Sequence, residues 1–494
     1  MRRRYLKRIA LGVGVGAGSL LAMPALASAA DGPSLDDAVS SINTTWVIVA
    51  GVLVMFMQAG FAFLEIGFSR GKNAGTGIAK ILTNFSIASI AYWAVGFALA
   101  FGGAGTIAGT HGFFLDVSSV PSEAAKQFPF VGTYGISPAA FMFFQFVFCA
   151  VSLAIVWGTT LERLKFAVYI IYAVIFSAVI YPVISHWIFG GGWLQVNVGM
   201  QDFAGSTVVH LIGATGALAA LLLLGPRIGK YGPDGKPRVI PGHSMPLVGL
   251  GVLILWLGWF GFNPGSTLGA IGNRFAEIVV VTNLAAAAGV IAALATIYLL
   301  QKTIDIGMAG NGAIAGLVAI TAPSGYVEYW AAPIIGFIAG LLVVCSVILI
   351  DKVLDDPVGA LSAHGIAGIW GTLSCGLFTS TRLAKFNGIG DPGLFYSGSI
   401  HQFAVQALGV AAAFTSVFVI SFAVFFLIKV TYGLRVKPEE ERYGLDLVEH
   451  GMWGYPEQFM PVPGSEYHQP APPARRPIPR PVPVGLGGGD GGRS

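Results

Sequence analysis

The run FMFFQFVFCAVSLAIVWGTTLERLKFAVYIIYAVIFSAVIYPVI, residues 141–184, decides the fold class. Two uncharged apolar stretches flank a short polar turn that carries Glu162, Arg163 and Lys165. As a helix, an apolar stretch of roughly twenty residues matches the hydrocarbon thickness of a bilayer. The segment therefore reads as two membrane-spanning helices joined by a tight turn. Working outward in both directions, the same pattern recurs. The apolar runs lie near 44–67, 78–102, 137–159, 166–188, 203–224, 243–264, 276–300, 310–324, 331–350, 361–380 and 401–430, eleven in all, with the eighth and tenth short or broken by glycine.

Composition points the same way. Of 494 residues, 55% are hydrophobic and only 11% charged, and the mean hydropathy is +0.74. Soluble domains carry about 25% charge, so a soluble enzyme of this composition would lack the charges to cover its surface. The 68 glycines suit helices packed closely within a membrane. Cys149, Cys345 and Cys375 all fall in apolar runs, which excludes a disulfide scaffold and any CxxC metal or redox site. A net charge of +4 makes no case for nucleic-acid binding. The expected fold is an all-α polytopic membrane protein.

Residues 1–30 read as targeting sequence. Arg2, Arg3, Arg4, Lys7 and Arg8 precede an apolar stretch from Ile9 to Leu26, and Ala27-Ser28-Ala29 supplies small residues for cleavage before Asp31. The alternative is a first helix kept in the mature protein. A cleaved leader would leave the new N-terminus outside the cytoplasm, and the basic residues test that orientation. Arg70, Lys72, Arg163, Lys165, Arg227, Lys230, Lys236, Arg238, Lys302 and Lys352 fall in one set of loops, with Lys429, Arg435, Lys437 and Arg442 on the same side. Lys126, Arg274, Arg382 and Lys385 fall in the other set. The bias predicts N-outside, C-inside, in a cell (plasma or inner) membrane.

Five spans, five more and a last one place the second five in the opposite orientation to the first. That is a 5+5 inverted repeat plus a final helix, a recurring transporter plan with the substrate site between the halves. Residues 31–432 form this transmembrane domain, 433–464 a cytoplasmic C-terminal regulatory segment, and 465–494 a Pro/Gly-rich disordered tail. PIPRPVP within the tail reads as a linker or a polyproline ligand.

Ionisable groups at membrane depth are costly and so are functional candidates. Asp202 opens the fifth span in DFAGSTVVH, and His210 follows eight residues later, roughly on the same face and about 12 Å deeper. His364 lies in the tenth span, in SAHGIAGIWG. If the halves are inverted repeats, these two histidines meet near the axis, where neutral imidazoles sharing one proton offer a polar thread through an apolar tube. Phe144 and Phe148 are one helical turn apart in the third span. Phe262 lies in GWFGFNPGS, where Pro264 and Gly265 end the sixth span and leave Ser266 exposed. Aromatic faces with a hydroxyl suit a weak cation site; packing is the alternative for phenylalanines at this spacing. Glu65, near the inner end of the first span, reads as a helix-end acid without an assigned role.

Several runs together resemble the ammonium transporter (Amt/Mep/Rh) family: GFxxGKNAG (67–75), Glu162-Arg163, DFAGSTVVH, GWFGFNPGS, DDP followed by HG (355–365), and GLRV…E…GLD…EHG (433–451). The resemblance runs in order through residues 43–455, and DFAG…VVH resembles the Amt/Mep branch. It implies a homotrimer with one eleven-helix pore per subunit that conducts ammonium or ammonia, without metal or other cofactor. It implies that His210 and His364 are the paired pore histidines and that Asp202 organises recruitment. Phe148 and Phe262 would be stacked gate rings, Ser266 the outer hydroxyl, and Phe144 a wall of the same vestibule. Phe189, in HWIFGGG, stands where the family usually has tryptophan, with Trp187 or Trp193 as candidate substitutes. Gly359 stands where an acid often precedes the second histidine. The GLD…EHG segment resembles one that couples subunits and meets a PII-type nitrogen-signalling protein.

Such a pore can discriminate by chemistry. Ammonium and potassium match in charge and nearly in size, but an apolar tube penalises any intact ion, and only ammonium can give up a proton. The expected sequence is recruitment, deprotonation near Asp202 and passage of ammonia, with or without the proton relayed by the histidines; methylammonium serves as an analogue. The rivals are an ammonium sensor signalling through its C-terminal segment, a membrane enzyme with a metal or haem on the histidines, and a carrier of another small gas.

Overall fold

A computed structural model describes residues 34–459 apart from 104 and 119. The expected leader (1–30) and tail (465–494) lie outside the described residues. Among the described residues, nine helices are long and apolar enough to cross a membrane. They are α1 Leu35–Phe68, α2 Gly71–Phe101, α3 Pro138–Gly158, α4 Phe166–Val196, α5 Ser206–Leu224, α6 Met245–Gly265, α7 Arg274–Gln301, α9 Ala331–Ile350 and α11 His401–Thr431. The shorter α8, Ile306–Thr321, and α10, residues 361–378, complete the bundle.

The ends differ from the apolar runs where polar chemistry extends a helix. α1 begins well before the hydrophobic run because Ser34 and Asp37 cap each other reciprocally: Asp37 N–H donates to Ser34 Oγ and Ser34 N–H to Asp37 Oδ2, each at 3.1 Å. A hydropathy reading misses such a polar first turn. α2 opens with a 3-10 turn over Gly71–Asn73, and Asp446 then accepts from Gly75 N–H (2.9 Å) and Thr76 N–H (2.7 Å), donors of its first α-helical turn that lack a partner within the helix.

α1 packs along α6, and α7 against α8 and α9. At the α1–α6 crossing the backbones approach so closely that a Cβ on Gly60 would lie 3.0 Å from the Gly251 carbonyl oxygen, the close contact small residues permit between membrane helices. α5 runs through the middle: residues 206–217 are all buried, packed against α3, α10 and α11.

One end of the bundle is tied by charge. Arg227 reaches Asp355 through two bonds of 2.9 Å, and Arg163, fully buried, donates to the Asp355 carbonyl at 2.9 Å. Arg70 pairs with Glu162. The segment after α11 seals this end. Lys72 Nζ donates to the carbonyls of Glu441 (2.8 Å) and Arg442 (2.5 Å), Leu445 N–H to Asn73 Oδ1 (2.9 Å), and Glu441 accepts from Arg435 (2.7 Å) and from Ile228 N–H (2.7 Å). The GLRV…GLD motif thus spends its charges on docking against the loops of the transmembrane body.

Candidate functional site

Asp202 stands just before α5, and its carboxylate takes four backbone donors. Gly205 (2.7 Å) and Ser206 (3.0 Å) donate to Oδ1, and Thr207 (2.9 Å) and Val208 (3.1 Å) to Oδ2. The carboxylate therefore satisfies the otherwise orphaned N–H groups of a buried helix start. The chain can turn back under it because Gly205 adopts φ 119°. The next residues lock α5 to its neighbours: Ser206 Oγ donates to Val318 O and accepts from Ala322 N–H, both at 2.7 Å, and Thr207 Oγ1 meets Thr372 Oγ1 at 2.6 Å. Residues Ser206–Leu211 form a wide π-type turn, a deformation common at functional sites.

The start of α10 repeats this design. Asp356 accepts from Gly359 N–H (3.0 Å) and Leu361 N–H (2.8 Å), Gly359 has φ 76°, and residues Leu361–Ile366 form the same wide turn. Both stretches read D-x-x-G-x-x-x-x-H, over 202–210 and over 356–364. The sequence analysis assigns Asp356 no role, although its eight-residue spacing to His364 equals that of Asp202 to His210. The same geometry explains Gly359: a position with φ 76° favours glycine over any acid.

The two turns bring the histidines together. His210 Nδ1 lies 3.2 Å from His364 Nδ1, with ring centroids 5.3 Å apart and planes 21° from parallel. His210 is fully buried, and its Nε2 has no hydrogen-bond partner among the described residues. Phe262 stacks on His210 at 5.5 Å, and Phe148 stacks on Phe262 at 4.0 Å. Phe144 follows at 4.7 Å from Phe148. The rings form a continuous row from Phe144 to His364 that covers the imidazole pair on the Asp202 side.

On the Asp202 side a cavity of about 110 Å³ is lined by Phe144, Phe148, Phe189, Asp202 and Ser266. Ser266 Oγ donates to Phe262 O at 2.8 Å, which leaves its lone pairs free to accept from a cation. Phe144, Phe189, Asp202 and Ser266 therefore line one mouth together with Phe148, and Phe262 stacks against Phe148. Trp187 and Trp193 do not line this cavity; they pack on each other at 5.7 Å, and Trp187 Nε1 donates to Ile107 O at 3.0 Å. Phe189 itself is part of the aromatic wall, with Phe130, Phe203, Tyr134 and Tyr326 among the other rings. On the other side of the histidines a smaller cavity is lined by His364, Phe61, Glu65 and Asn311.

Two neighbours of the pair are not singled out by the sequence analysis. Trp259 stacks on His210 at 5.3 Å and is fixed by its Nε1 donating to Thr321 Oγ1 at 3.0 Å. Phe61 lies 6.2 Å from His364. Trp259 precedes Phe262 by three residues on one helix, a spacing that places both on one face.

Residues 45–455 match the family model described as Ammonium Transporter Family. The chain is 45% identical to the ammonium transporter Amt2 of Archaeoglobus fulgidus over 429 residues, covering 84% of this chain and 88% of that one. Among solved structures it is similar to one named Sensor Amt Protein, with 37% identity, a TM-score of 0.76, and coverage of 84% of this chain and 100% of that one. It is also similar to Mep2 of Candida albicans, with 27% identity, a TM-score of 0.73, and coverage of 82% and 88%.

Proposed function

The chain belongs to the ammonium transporter family, and from that premise we propose a path for the substrate. Ammonium is recruited in the mouth lined by Asp202, Phe144, Phe189 and Ser266. It loses a proton there, and ammonia passes Phe148 and Phe262 and then the histidines, with the proton either left behind or relayed by them. The observation that carries this reading is the Nδ1–Nδ1 contact of 3.2 Å between His210 and His364, at the end of a stack of apolar rings. On the Phe262 side of it an intact cation meets only aromatic rings, while ammonia finds a nitrogen that accepts and an N–H that donates.

Asp202 serves this scheme as a field rather than as a ligand. Its oxygens already hold four backbone N–H groups, so it fixes the mouth and supplies negative potential to an arriving cation. Ser266 Oγ and the aromatic faces make the direct contacts.

The same proposal includes the assembly. The twin D-x-x-G-x-x-x-x-H starts of α5 and α10 support a 5+5 inverted repeat with a last helix α11. We place the protein as a homotrimer in the cell membrane, with the Asp202 mouth outside and the segment 433–464 in the cytoplasm, where a PII-type signalling protein is its partner. The Lys and Arg distribution supports that orientation. Transport is favoured over sensing because the curated relatives carry transporter names; the word sensor describes one similar protein of known structure.

The test is purified protein in liposomes, given an ammonium jump beside a potassium jump, with current and internal pH recorded together. A sustained ammonium current absent with potassium, or internal alkalinisation without current, supports transport, with and without the proton respectively. Silence in both channels with ammonium still bound overturns transport in favour of sensing.

A further inference from the structure

Beyond the histidines, the end of the path away from Asp202 holds a buried ion pair that this scheme leaves unused. Glu65, late in α1, pairs through Oε2 with Lys80 of α2, and their side chains are 2% and 0% exposed. The Lys80 ammonium also lies 5.9 Å from the centre of the Tyr169 ring. Burying two ions costs several kcal/mol each before they attract one another, and an apolar pair of similar size often does as well or better for stability. Ionisable pairs at membrane depth are kept for proton or ion pathways.

Two observations show what this pair faces. Glu65 Oε1 is buried and has no hydrogen-bond partner among the described residues. Glu65 also lines the same cavity as His364, and that cavity holds about 20 Å³, room for one water. The unsatisfied oxygen and the imidazole therefore share a compartment sized for a single bridging molecule.

We propose that Glu65 is the proton-exchange group at the exit of the pore, receiving the proton that the histidine pair relays and releasing it beyond the pore. This rests on the histidine passage proposed above. In the first step an N–H bond of the protonated pair breaks at His364 and an O–H bond forms on Glu65 Oε1, through one water that gives up one proton as it gains another. In the second step that O–H bond breaks and the proton passes to water or to emerging ammonia, which becomes ammonium. Lys80 balances the carboxylate between turnovers, so the empty exit is neutral overall. With the proton aboard, the site carries one positive charge on Lys80, away from the apolar rings.

The test separates charge from ammonia. Current and total internal ammonia plus ammonium are recorded in liposomes for the parent, for Glu65→Asp and for the double variant Glu65→Gln/Lys80→Met, which removes titration without leaving either ion unpaired. The double variant is expected to lose current by about tenfold or more, while ammonia entry stays within about twofold of the parent. Glu65→Asp, still able to titrate, is expected to retain more current than the double variant. Parental current in the double variant makes the pair structural and overturns the proposal. So does equal loss of current and ammonia entry in both variants. A parent that moves ammonia without current also overturns it, because no proton is then relayed, yet leaves the histidine passage standing. A parent silent in both channels removes the passage itself.

Discussion

His210 and His364 meet through like atoms, Nδ1 against Nδ1 at 3.2 Å. A hydrogen bond between two such atoms fixes the tautomers as a pair: one ring carries its proton at Nδ1, and the other accepts there and carries its own at Nε2. The pair therefore always offers the passage one accepting and one donating Nε2, and these roles exchange when one ring takes up a proton at Nε2, the shared proton crosses, and the other ring releases its Nε2 proton.

Leucine at either histidine fills the space but removes the thread. It also leaves the partner's Nδ1 unpaired in an apolar site, a cost of about 1–3 kcal/mol, or roughly tenfold to a hundredfold in rate when ammonia loses the same bond. His210→Leu and His364→Leu are expected to lower ammonium flux by that factor while half-saturation at the Asp202 mouth stays unchanged. Initial rates in liposomes over a range of ammonium concentrations measure both. Full flux in either variant would show that ammonia needs no polar partner there.

Phe189→Trp is expected to strengthen recruitment. Phe189 lines the mouth beside Ser266, and an indole gives a stronger cation face than a phenyl ring, worth about 0.5–1 kcal/mol at a partly exposed site. Half-saturating ammonium should fall by about two- to fivefold, with methylammonium following. An unchanged value would place the cation away from residue 189, nearer Tyr134 or Tyr326.

These residues are unevenly legible in the sequence, for physical reasons. α3 and α4 stand out in residues 141–184 because burial in hydrocarbon demands long uncharged runs. His210 and Asp202 stand out because a charge or imidazole at depth is rare. Asp356 hides in a surface-like DDP run; only the repeat of D-x-x-G-x-x-x-x-H reveals it as the counterpart of Asp202. Lys80 lies inside an apolar run, and its pairing with Glu65 spans two helices, so no periodicity announces it. Trp187 and Trp193 are natural substitutes for a missing indole by proximity in sequence. Trp187, two residues before Phe189 on the helix, falls on another of its faces, and Trp193 lies beyond the Gly190-Gly191-Gly192 turn, so neither lines the cavity.

Gly205→Ala and Gly359→Ala should both destabilise. Each position has φ in the left-handed region, 119° and 76°, where a Cβ costs about 1–2 kcal/mol. The new Cβ would also stand 2.7 Å from Val209 Cγ2 in the first case and 2.9 Å from Asn311 Nδ2 in the second. Gly249→Ala is the control, since it is helical and meets nothing within 4 Å; helix propensity predicts a neutral or stabilising effect. Melting temperatures in detergent rank the three, and equal melting for all would remove the argument from backbone conformation.

Acid should loosen the charged end of the bundle at a defined place. Asp355 accepts from the Arg227 backbone N–H (2.7 Å), Nε (2.9 Å) and Nη2 (2.9 Å). Burial alone would push its carboxyl up, but Arg227 and then Arg163 outweigh burial and hold it at about 2, against 3.8 for an ordinary aspartate. A carboxyl whose value is lower folded than unfolded stabilises the fold above the unfolded value and loses that contribution as pH falls through the folded one. The window is therefore pH 3.8 down to about 2, and the contribution lost across it is about 2 kcal/mol. Asp355→Asn should melt lower than the parent at pH 7, because two arginines lose their counter-charge, and the gap between the two proteins should narrow steadily through that window. Melting curves in detergent at pH 7, 4, 3 and 2 decide it: a gap that stays constant with pH would mean that the Asp355 charge does not hold Arg227 and Arg163 in place.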